Sequence, residues 1–174
     1  MNALAGKKVL MVIASQQFRD EEYQKPRRLL EAEGAVVTVA SSSLKEAVGM
    51  LGLKVRPDVL LKEARAADYH AVVFIGGMGA TEYWNSPVAH DLARSAVKAG
   101  KITSAICLAP MTLANAGLLH GKRATIWKEV VADFRTKGVL YTGSPVEKDG
   151  PFITGSGPDA AEAFGKALVE ALQS

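Results

Sequence analysis

The single cysteine of the chain, Cys107, lies where a strand pattern changes into a helix pattern. Residues 102–106 are apolar or small and predict a short buried strand. Pro110 suits the first turn of a helix, where a missing N–H group costs nothing. Ala105 and Ala109 stand two positions before and after the cysteine, so strand and helix can approach closely. This spacing is typical of a nucleophile elbow, in which a reactive side chain sits on a sharp turn.

Two interpretations of Cys107 compete. A lone free cysteine in an apolar segment is commonly an inert core residue. At the start of a helix, however, the helix dipole and the free N–H groups favour the thiolate form. The spacing around Cys107 favours the second interpretation, and the sequence therefore predicts a thiolate nucleophile.

A glycine-rich loop, residues 76–79, follows a predicted strand at 71–75. It does not match a dinucleotide-binding fingerprint, because Glu82 stands where the third glycine belongs and the first strand is followed by no glycine. Nicotinamide and flavin cofactors are therefore poorly supported. Either these glycines only form a tight turn, or one of their N–H groups joins that of Leu108 in an oxyanion hole. Local features do not decide between the two.

The acidic run Asp20, Glu21 and Glu22 opens a predicted helix. Carboxylates in a first helical turn complement the helix dipole and often do nothing more. If one of them reaches the thiol, burial and the neighbouring negative charge would raise its pKa, and it could act as a general acid and base. The residues alone leave both possibilities open.

The histidines and tryptophans give weaker signals. No histidine adjoins Cys107, and no group of side chains shows the spacing of metal ligands, so we expect no metal. Trp84 and Trp127 could line a pocket, but a place in the core is the simpler interpretation for both. The histidines are His70, His90 and His120.

Strand and helix patterns alternate along the chain and predict a three-layer α/β fold around a mostly parallel sheet, in one domain covering 1–174. Pro26 should mark a late start or a kink in the first helix. Ligands of such folds bind beyond the carboxyl ends of the strands. The predicted strands are 9–14, 35–40, 71–75, 102–106 and 124–126, with hairpins at 48–55 and 146–154, and the predicted helices are 20–33, 86–99, 128–134 and 156–174.

Composition limits the class of protein. The 174 residues are 48% hydrophobic and 22% charged, as in a globular domain of ordinary size. No apolar run approaches the length needed to span a bilayer, and residues 1–6 are too short for a signal peptide, so we expect a cytoplasmic protein without a membrane partner. One cysteine allows no internal disulfide. The net charge of +3 is spread out, and we expect no nucleic-acid partner.

Several separate motifs, in the right order, resemble the ThiJ/PfpI superfamily, and within it the Parkinsonism-associated deglycase branch. The resemblance covers essentially the whole chain. The matching segments are residues 8–12, the spacing from Glu22 to Pro26, residues 75–77, residues 105–107 with Pro110, residues 146–150, residues 157–158 and residues 169–172.

The resemblance implies a flavodoxin-like sandwich of the class I glutamine amidotransferase type. It implies that Cys107 is the nucleophile and that Glu22, four residues before the proline, is a protonated glutamate hydrogen-bonded to it. It also implies that the N–H groups of Gly77 and Leu108 form the oxyanion site. Gly76 and Trp127 fall in the substrate pocket. Family members need no cofactor for the glyoxalase reaction and are commonly homodimers or larger assemblies.

The chain departs from the family pattern at four positions. Leu108 replaces the histidine that follows the cysteine in peptidase-like members, which argues against proteolysis. Trp127 aligns near a histidine of the deglycase-like members, and Ser156 replaces an arginine. Ala109 replaces a glycine of the elbow. The pocket beside the conserved thiol and carboxyl is therefore expected to differ.

These features predict a cysteine-dependent glyoxalase or deglycase that acts on methylglyoxal-type α-oxoaldehydes or their adducts. The alternative is a redox-sensing stress protein or holdase chaperone with an oxidisable Cys107. A cysteine peptidase and an isonitrile hydratase are more distant alternatives.

Overall fold

The computed structural model describes residues 2–174, so Met1 of the predicted domain 1–174 lies outside the described residues. The chain alternates strands and helices as predicted. In order, the elements are β1 (Lys8–Val12), α1 (Asp20–Ala32), β2 (Val36–Ser41), β3 (Ala47–Val48), β4 (Lys54–Val55), β5 (Val59–Leu60), β6 (Ala71–Phe74), α2 (Pro87–Lys98), β7 (Ile102–Ile106), α3 (Pro110–Asn115), β8 (Arg123–Ala124), α4 (Val131–Arg135), β9 (Leu140–Tyr141), β10 (Val146–Asp149), β11 (Phe152–Gly155) and α5 (Ala161–Leu172).

Within residues 2–174, seven strands form one sheet in the order β10-β11-β7-β6-β1-β2-β5. Every neighbouring pair is parallel except the β10–β11 hairpin at one edge. The central strands are almost continuously apolar because helices cover both faces of the sheet. The prediction of a mostly parallel, flavodoxin-like α/β sandwich is confirmed.

Side chains alternate between two core layers along β1. Val9 and Met11 pack with Leu30 of α1 and Phe164 of α5 on one face of the sheet. Leu10 and Val12 pack with residues of α2 and α3 on the other. This alternation follows from the period of two residues in a strand. The apolar stripe of α5 is buried throughout, at Ala161, Phe164, Leu168 and Leu172.

Helix α1 begins at Asp20 and continues through Pro26, so the alternative of a late helix start is wrong. The proline lies against Gly165 of α5, where a Cβ atom would come within 2.9 Å of the Pro26 Cα atom. Pro26 therefore lies inside α1, at its close contact with α5.

The smaller elements show where local pattern and tertiary context differ. The predicted hairpin at 48–55 is present as β3–β4. The strand predicted at 124–126 is shorter and pairs with β9 outside the main sheet. The edge strand β5, only two residues long, was not predicted. No helix within residues 2–174 is long and apolar enough to span a membrane.

The strand order reverses between β1 and β6, because the chain moves from β1 outward to β2 and from β6 outward to β7. Crevices at such switch points are the usual ligand sites of open α/β sheets. The loops at 13–19 and 75–79 leave the sheet there, beside the end of β7 that carries Cys107.

Candidate active site

Cys107 occupies the turn between β7 and α3 with a backbone φ of +65°, which side-chain-bearing residues rarely adopt. Its N–H group donates to the carbonyl oxygen of Gly155 over 2.9 Å, which continues the pairing of β7 with β11 into the turn. Ala105 and Ala109 are both buried. Ala109 has a φ of −70°, so this elbow does not require the glycine found in the family. The local geometry is that of a nucleophile elbow.

The first two acidic residues of α1 have different hydrogen-bond partners. The Asp20 carboxylate accepts hydrogen bonds from the N–H groups of Leu51 and Leu53, at 2.9 and 2.8 Å, and so fixes the β3–β4 loop. The Glu21 carboxylate pairs with Arg19 through two hydrogen bonds of 2.9 and 3.1 Å. Both residues have roles that do not involve the cysteine.

Glu22 is the acid that faces the thiol. It is 0% exposed, and neither of its carboxyl oxygens makes a hydrogen bond in the structure. The Cys107 thiol and the backbone of Gly76 are the polar groups beside it, and neither reaches regular hydrogen-bond geometry. Burial raises the pKa of Glu22 to about 8. A buried carboxyl without partners is most stable uncharged, so Glu22 carries a proton at neutral pH.

The sequence predicted that Cys107 favours the thiolate form. When Glu22 is charged, its surroundings favour the neutral thiol instead. Burial, and then the negative charge of Glu22, raise the pKa of the thiol, whereas the N–H groups of Gly77 and Leu108 lower it. Burial outweighs the backbone donors because α3 is only six residues long and the sulfur lies inside the domain. Thiol and carboxyl therefore titrate as a pair.

Two hydrogen bonds orient the N–H groups beside the sulfur. The Gly76 carbonyl accepts from the Arg19 N–H, and the Cys107 carbonyl accepts from the Trp127 N–H, both over 2.9 Å. In a trans peptide the carbonyl and the following N–H point in opposite directions. Holding these two carbonyls therefore directs the N–H groups of Gly77 and Leu108 the other way.

Close packing explains the glycine loop. A Cβ atom on Gly76 would lie 2.5 Å from Glu22 Oε1 and 2.6 Å from the Cys107 Cβ atom. Gly76 therefore lies in close contact with both the Glu22 carboxyl and the Cys107 side chain, and no larger residue fits there. It is Gly77, not Gly76, that lines the cavity in front of the sulfur. The tight-turn and oxyanion interpretations are thus compatible in one loop.

The cavity above Cys107 has a volume of about 150 Å³ and is open to solvent. The cysteine itself is 7% exposed. The cavity is large enough for a substrate of a few carbon atoms. Its lining residues are Arg19, Met50, Gly77, Met78, Cys107, Leu108, Trp127, Glu129 and Pro158.

The two tryptophans have different places. Trp127 is half-buried and lines the cavity, rather than only filling the core, and its Nε1–H donates to Glu129 over 2.8 Å. Its ring requires a glycine at 157, where a Cβ atom would come within 2.8 Å of it. Trp84 packs against both core layers, and its Nε1–H donates to the Leu108 carbonyl over 2.8 Å.

Sequence reasoning missed Arg19, Met50 and Met78 as residues of the cavity. Arg19 directly precedes the acidic run. It is therefore the one residue of these three that could have been predicted from its position in the sequence. Met50 comes from the β3–β4 loop, and its sulfur accepts the Met78 N–H over 3.4 Å. Ser156, which replaces a family arginine, does not line the cavity within the described chain.

The histidines lie outside the site. His90 bonds through Nε2 to the Trp84 carbonyl oxygen, and His70 accepts the Lys8 N–H. No group of three or more metal-ligating side chains is present within residues 2–174. A larger groove of about 410 Å³, between residues 61–67 and α2, contains neither the cysteine nor Glu22.

A flavodoxin-like fold with a cysteine on a strained strand–helix turn and a buried carboxyl beside it defines a class of α/β proteins. The chain belongs to the DJ-1/PfpI family, whose model matches residues 7–171. The predicted resemblance is confirmed.

Curated relatives carry different names. A Methanocaldococcus jannaschii protein described as uncharacterized is 40% identical, with 95% of this chain and 82% of that protein covered. A Pyrococcus abyssi protein named a deglycase is 27% identical, covering 94% and 99%. A Bacillus subtilis protein named "Putative cysteine protease YraA" is 29% identical, covering 95% and 99%.

Solved structures agree with the family assignment. A ThiJ/PfpI domain protein from Brachyspira murdochii superposes with a TM-score of 0.93 at 30% identity, covering 96% of this chain and 98% of that one. Drosophila melanogaster DJ-1beta superposes with a TM-score of 0.86 at 28% identity, covering 96% and 90%.

Proposed function

We propose that the protein is a cofactor-independent glyoxalase or deglycase that uses Cys107 on small α-oxoaldehydes such as methylglyoxal or on their adducts. The observation that carries the proposal is the buried, unpartnered Glu22 carboxyl against the thiol at the base of a small open cavity. Such a carboxyl can hold and release a proton next to a nucleophile at neutral pH.

Loss of one proton from the pair of Cys107 and Glu22 generates the nucleophile. The first proton leaves as the pH approaches about 8, and the second is retained, because two negative charges in one buried site repel. The N–H groups of Gly77 and Leu108 lower the pKa of the thiol and so stabilise a negative charge on sulfur. Glu22 is the group that loses its proton near pH 8. We infer that the reactive form arises when the thiol proton then moves to the Glu22 carboxylate, which leaves the single negative charge on sulfur and the remaining proton on Glu22.

The reaction then balances without an external oxidant. The thiolate attacks the aldehyde carbon and forms a C–S bond, and the resulting oxyanion takes up the proton of Glu22 to give a hemithioacetal. Glu22, as a carboxylate at this stage, removes the proton from that carbon and returns it to the neighbouring carbon. The former aldehyde carbon is oxidised to a thioester and the ketone carbon is reduced to an alcohol. Water cleaves the thioester, releasing a hydroxy acid and the free thiol.

The comparisons offer partial support. A distant relative is named a deglycase, and another of similar identity carries a protease name. Proteolysis by a Cys–His pair is the weaker proposal here, because Leu108 follows the cysteine and no histidine lines the cavity within residues 2–174. We further propose, from the family, a cytoplasmic homodimer or larger homo-oligomer.

The test is methylglyoxal consumption with lactate detection in buffer free of metal and added thiol. Because the chain has one cysteine, alkylation by iodoacetamide can be followed at Cys107 alone by intact mass. Activity is expected to fall in direct proportion to the alkylated fraction. Lactate formation that persists after complete alkylation would refute the proposal.

Redox sensing is the second candidate, and one observation favours it. The sulfur reaches an open cavity and has an uncharged carboxyl and two N–H groups beside it, which could stabilise a sulfinate. Mild peroxide is expected to add two oxygen atoms to the protein and then stop, as measured by intact mass. An unmodified thiol, or direct progress to the sulfonate, would argue against a sensor.

A further inference from the structure

Arg19 brings a positive charge to the cavity that holds Cys107. Arg19 lines that cavity, and its side chain is about one quarter exposed, at 27%. The guanidinium interacts electrostatically with Glu22 and Cys107. Its backbone N–H also holds the Gly76 carbonyl, so the residue is anchored directly at the site.

The pairing with Glu21 orients the guanidinium without using all its donors. Glu21 binds Nε and Nη2, which are one edge of the planar group. A guanidinium has five N–H donors, so three of them, including both on Nη1, have no partner in the part of the chain that the structure describes. A planar fork held in this way is suited to a second carboxylate.

Arg19 is the sole cationic side chain among the described residues that line the cavity. Lys128 lies on the face of the Trp127 ring, 5.8 Å from its centroid, and does not line the cavity. The opposing charge in the lining is that of Glu129, one oxygen of which accepts from Trp127. The cavity therefore has one cationic and one anionic element with which to sort substrates by charge.

We propose that Arg19 makes this site selective for small carbonyl compounds that carry a carboxylate. As a statement about substrates, the proposal rests on the glyoxalase function proposed above. As a statement about ligand charge at Cys107, it does not depend on any turnover. A small carboxylate fits better than a larger anion because the cavity holds only about 150 Å³.

A matched pair of α-oxoaldehydes represents the substrate class. In 4,5-dioxopentanoate the reacting aldehyde and ketone are followed by two methylene groups and a carboxylate, and 2-oxopentanal is its uncharged counterpart. The sequence of steps given above converts the first to 2-hydroxyglutarate and the second to 2-hydroxypentanoate. In both, one carbon is oxidised, its neighbour is reduced and one water is consumed.

The first experiment measures ligand charge alone. Iodoacetate and iodoacetamide both alkylate a thiolate, forming a C–S bond and releasing iodide, and differ in charge. The ratio of their rates at Cys107 is divided by the same ratio for free cysteine. In Arg19→Gln this normalised ratio is expected to fall about 10- to 100-fold, as for loss of a charged hydrogen bond.

The control is Arg28→Gln, which removes the same charge from an exposed position of helix α1, the helix that Arg19 directly precedes. Its ratio is expected to stay at the wild-type value. A ratio that is unchanged in Arg19→Gln, or that falls equally in both variants, would overturn the proposal. Glu129→Gln removes the negative charge of an exposed residue that lines the cavity, and it is expected to raise the ratio. It supplies a second test should Arg19→Gln not fold.

The second experiment compares kcat/KM for the two oxoaldehydes. Wild type is expected to prefer 4,5-dioxopentanoate, and Arg19→Gln to lose that preference while Arg28→Gln keeps it. If neither compound reacts but the alkylation ratio depends on Arg19, the glyoxalase proposal fails and charge selectivity stands. If both react equally well in wild type, charge selectivity fails and the glyoxalase proposal stands.

Discussion

Replacing Glu22 with glutamine is expected to reduce lactate formation by about 10²- to 10⁴-fold and, in the same variant, to stabilise the fold at pH 8. Activity falls because an amide cannot carry the proton between the two carbons. Stability rises because the amide has nearly the shape of the carboxyl and never has to be charged in a buried site.

The pH dependence gives the sign of the stability change. The pKa of Glu22 is about 8 in the folded chain, against an ordinary value of 4.5. Between these values the folded state holds a proton that the unfolded state has lost, so its contribution to stability is present below pH 4.5 and is lost as the pH rises through 8. The full loss is on the order of 5 kcal/mol, at about 1.4 kcal/mol per pKa unit.

Urea denaturation of wild type and Glu22→Gln at pH 5 and pH 8 measures this effect. The wild type is expected to lose stability between the two, and the variant to lose much less. Cys107→Ser is the matched control, since it should also lose turnover but keep the acidic residue and its pH dependence. A Glu22→Gln variant that is less stable than wild type at pH 8 would mean that Glu22 is charged and satisfied in the fold.

Gly77→Ala is expected to destabilise the protein by about 3 kcal/mol or more, far beyond the effect of the same change at Gly52. The two glycines have nearly the same positive φ, of +104° and +97°. At Gly52 no atom lies within 4 Å of the added Cβ, so only the conformational cost of about 1 kcal/mol remains. At Gly77 the Cβ would lie 2.4 Å from the Arg19 nitrogen and 2.5 Å from the Gln17 oxygen.

Both of those atoms belong to the backbone, so the loops at 17–19 and 76–78 must move apart. The hydrogen bond from Arg19 to Gly76 would then break, and the Gly77 N–H would lose its orientation. Thermal and urea unfolding of the two variants, with lactate formation measured on the folded protein, test this. Equal losses at the two positions would show that the loops do not need their present close contact.

The elements were predictable where one physical pattern governs a residue. Continuous apolar runs predicted the buried parallel strands, and Ser86 with Pro87 predicted the start of α2, where the serine hydroxyl accepts the Ala89 N–H. The elbow at Cys107 followed in the same way from small residues and a proline. The edge strand β5 was missed because its two residues acquire a strand conformation only by pairing with β2.

The site was harder to predict because three acids in one helical turn look alike in sequence. Only the tertiary structure gives Asp20 two amide donors, Glu21 an arginine and Glu22 a buried place beside the Cys107 thiol. The raised pKa of Cys107 was also not predictable, because it depends on how deeply the thiol is buried, and short sequence patterns do not show burial depth. Family resemblance, rather than local spacing, selected Glu22.

Arg19 and Trp127 each serve the site twice, through separate parts of the residue. Their backbone N–H groups hold the carbonyls behind Gly77 and Leu108, while their side chains line the cavity. Since every amino acid other than proline has the N–H group, almost any substitution at 19 or 127 keeps this backbone support. Descendants of one ancestral protein could thus acquire new substrates through these two positions while inheriting the same reaction centre.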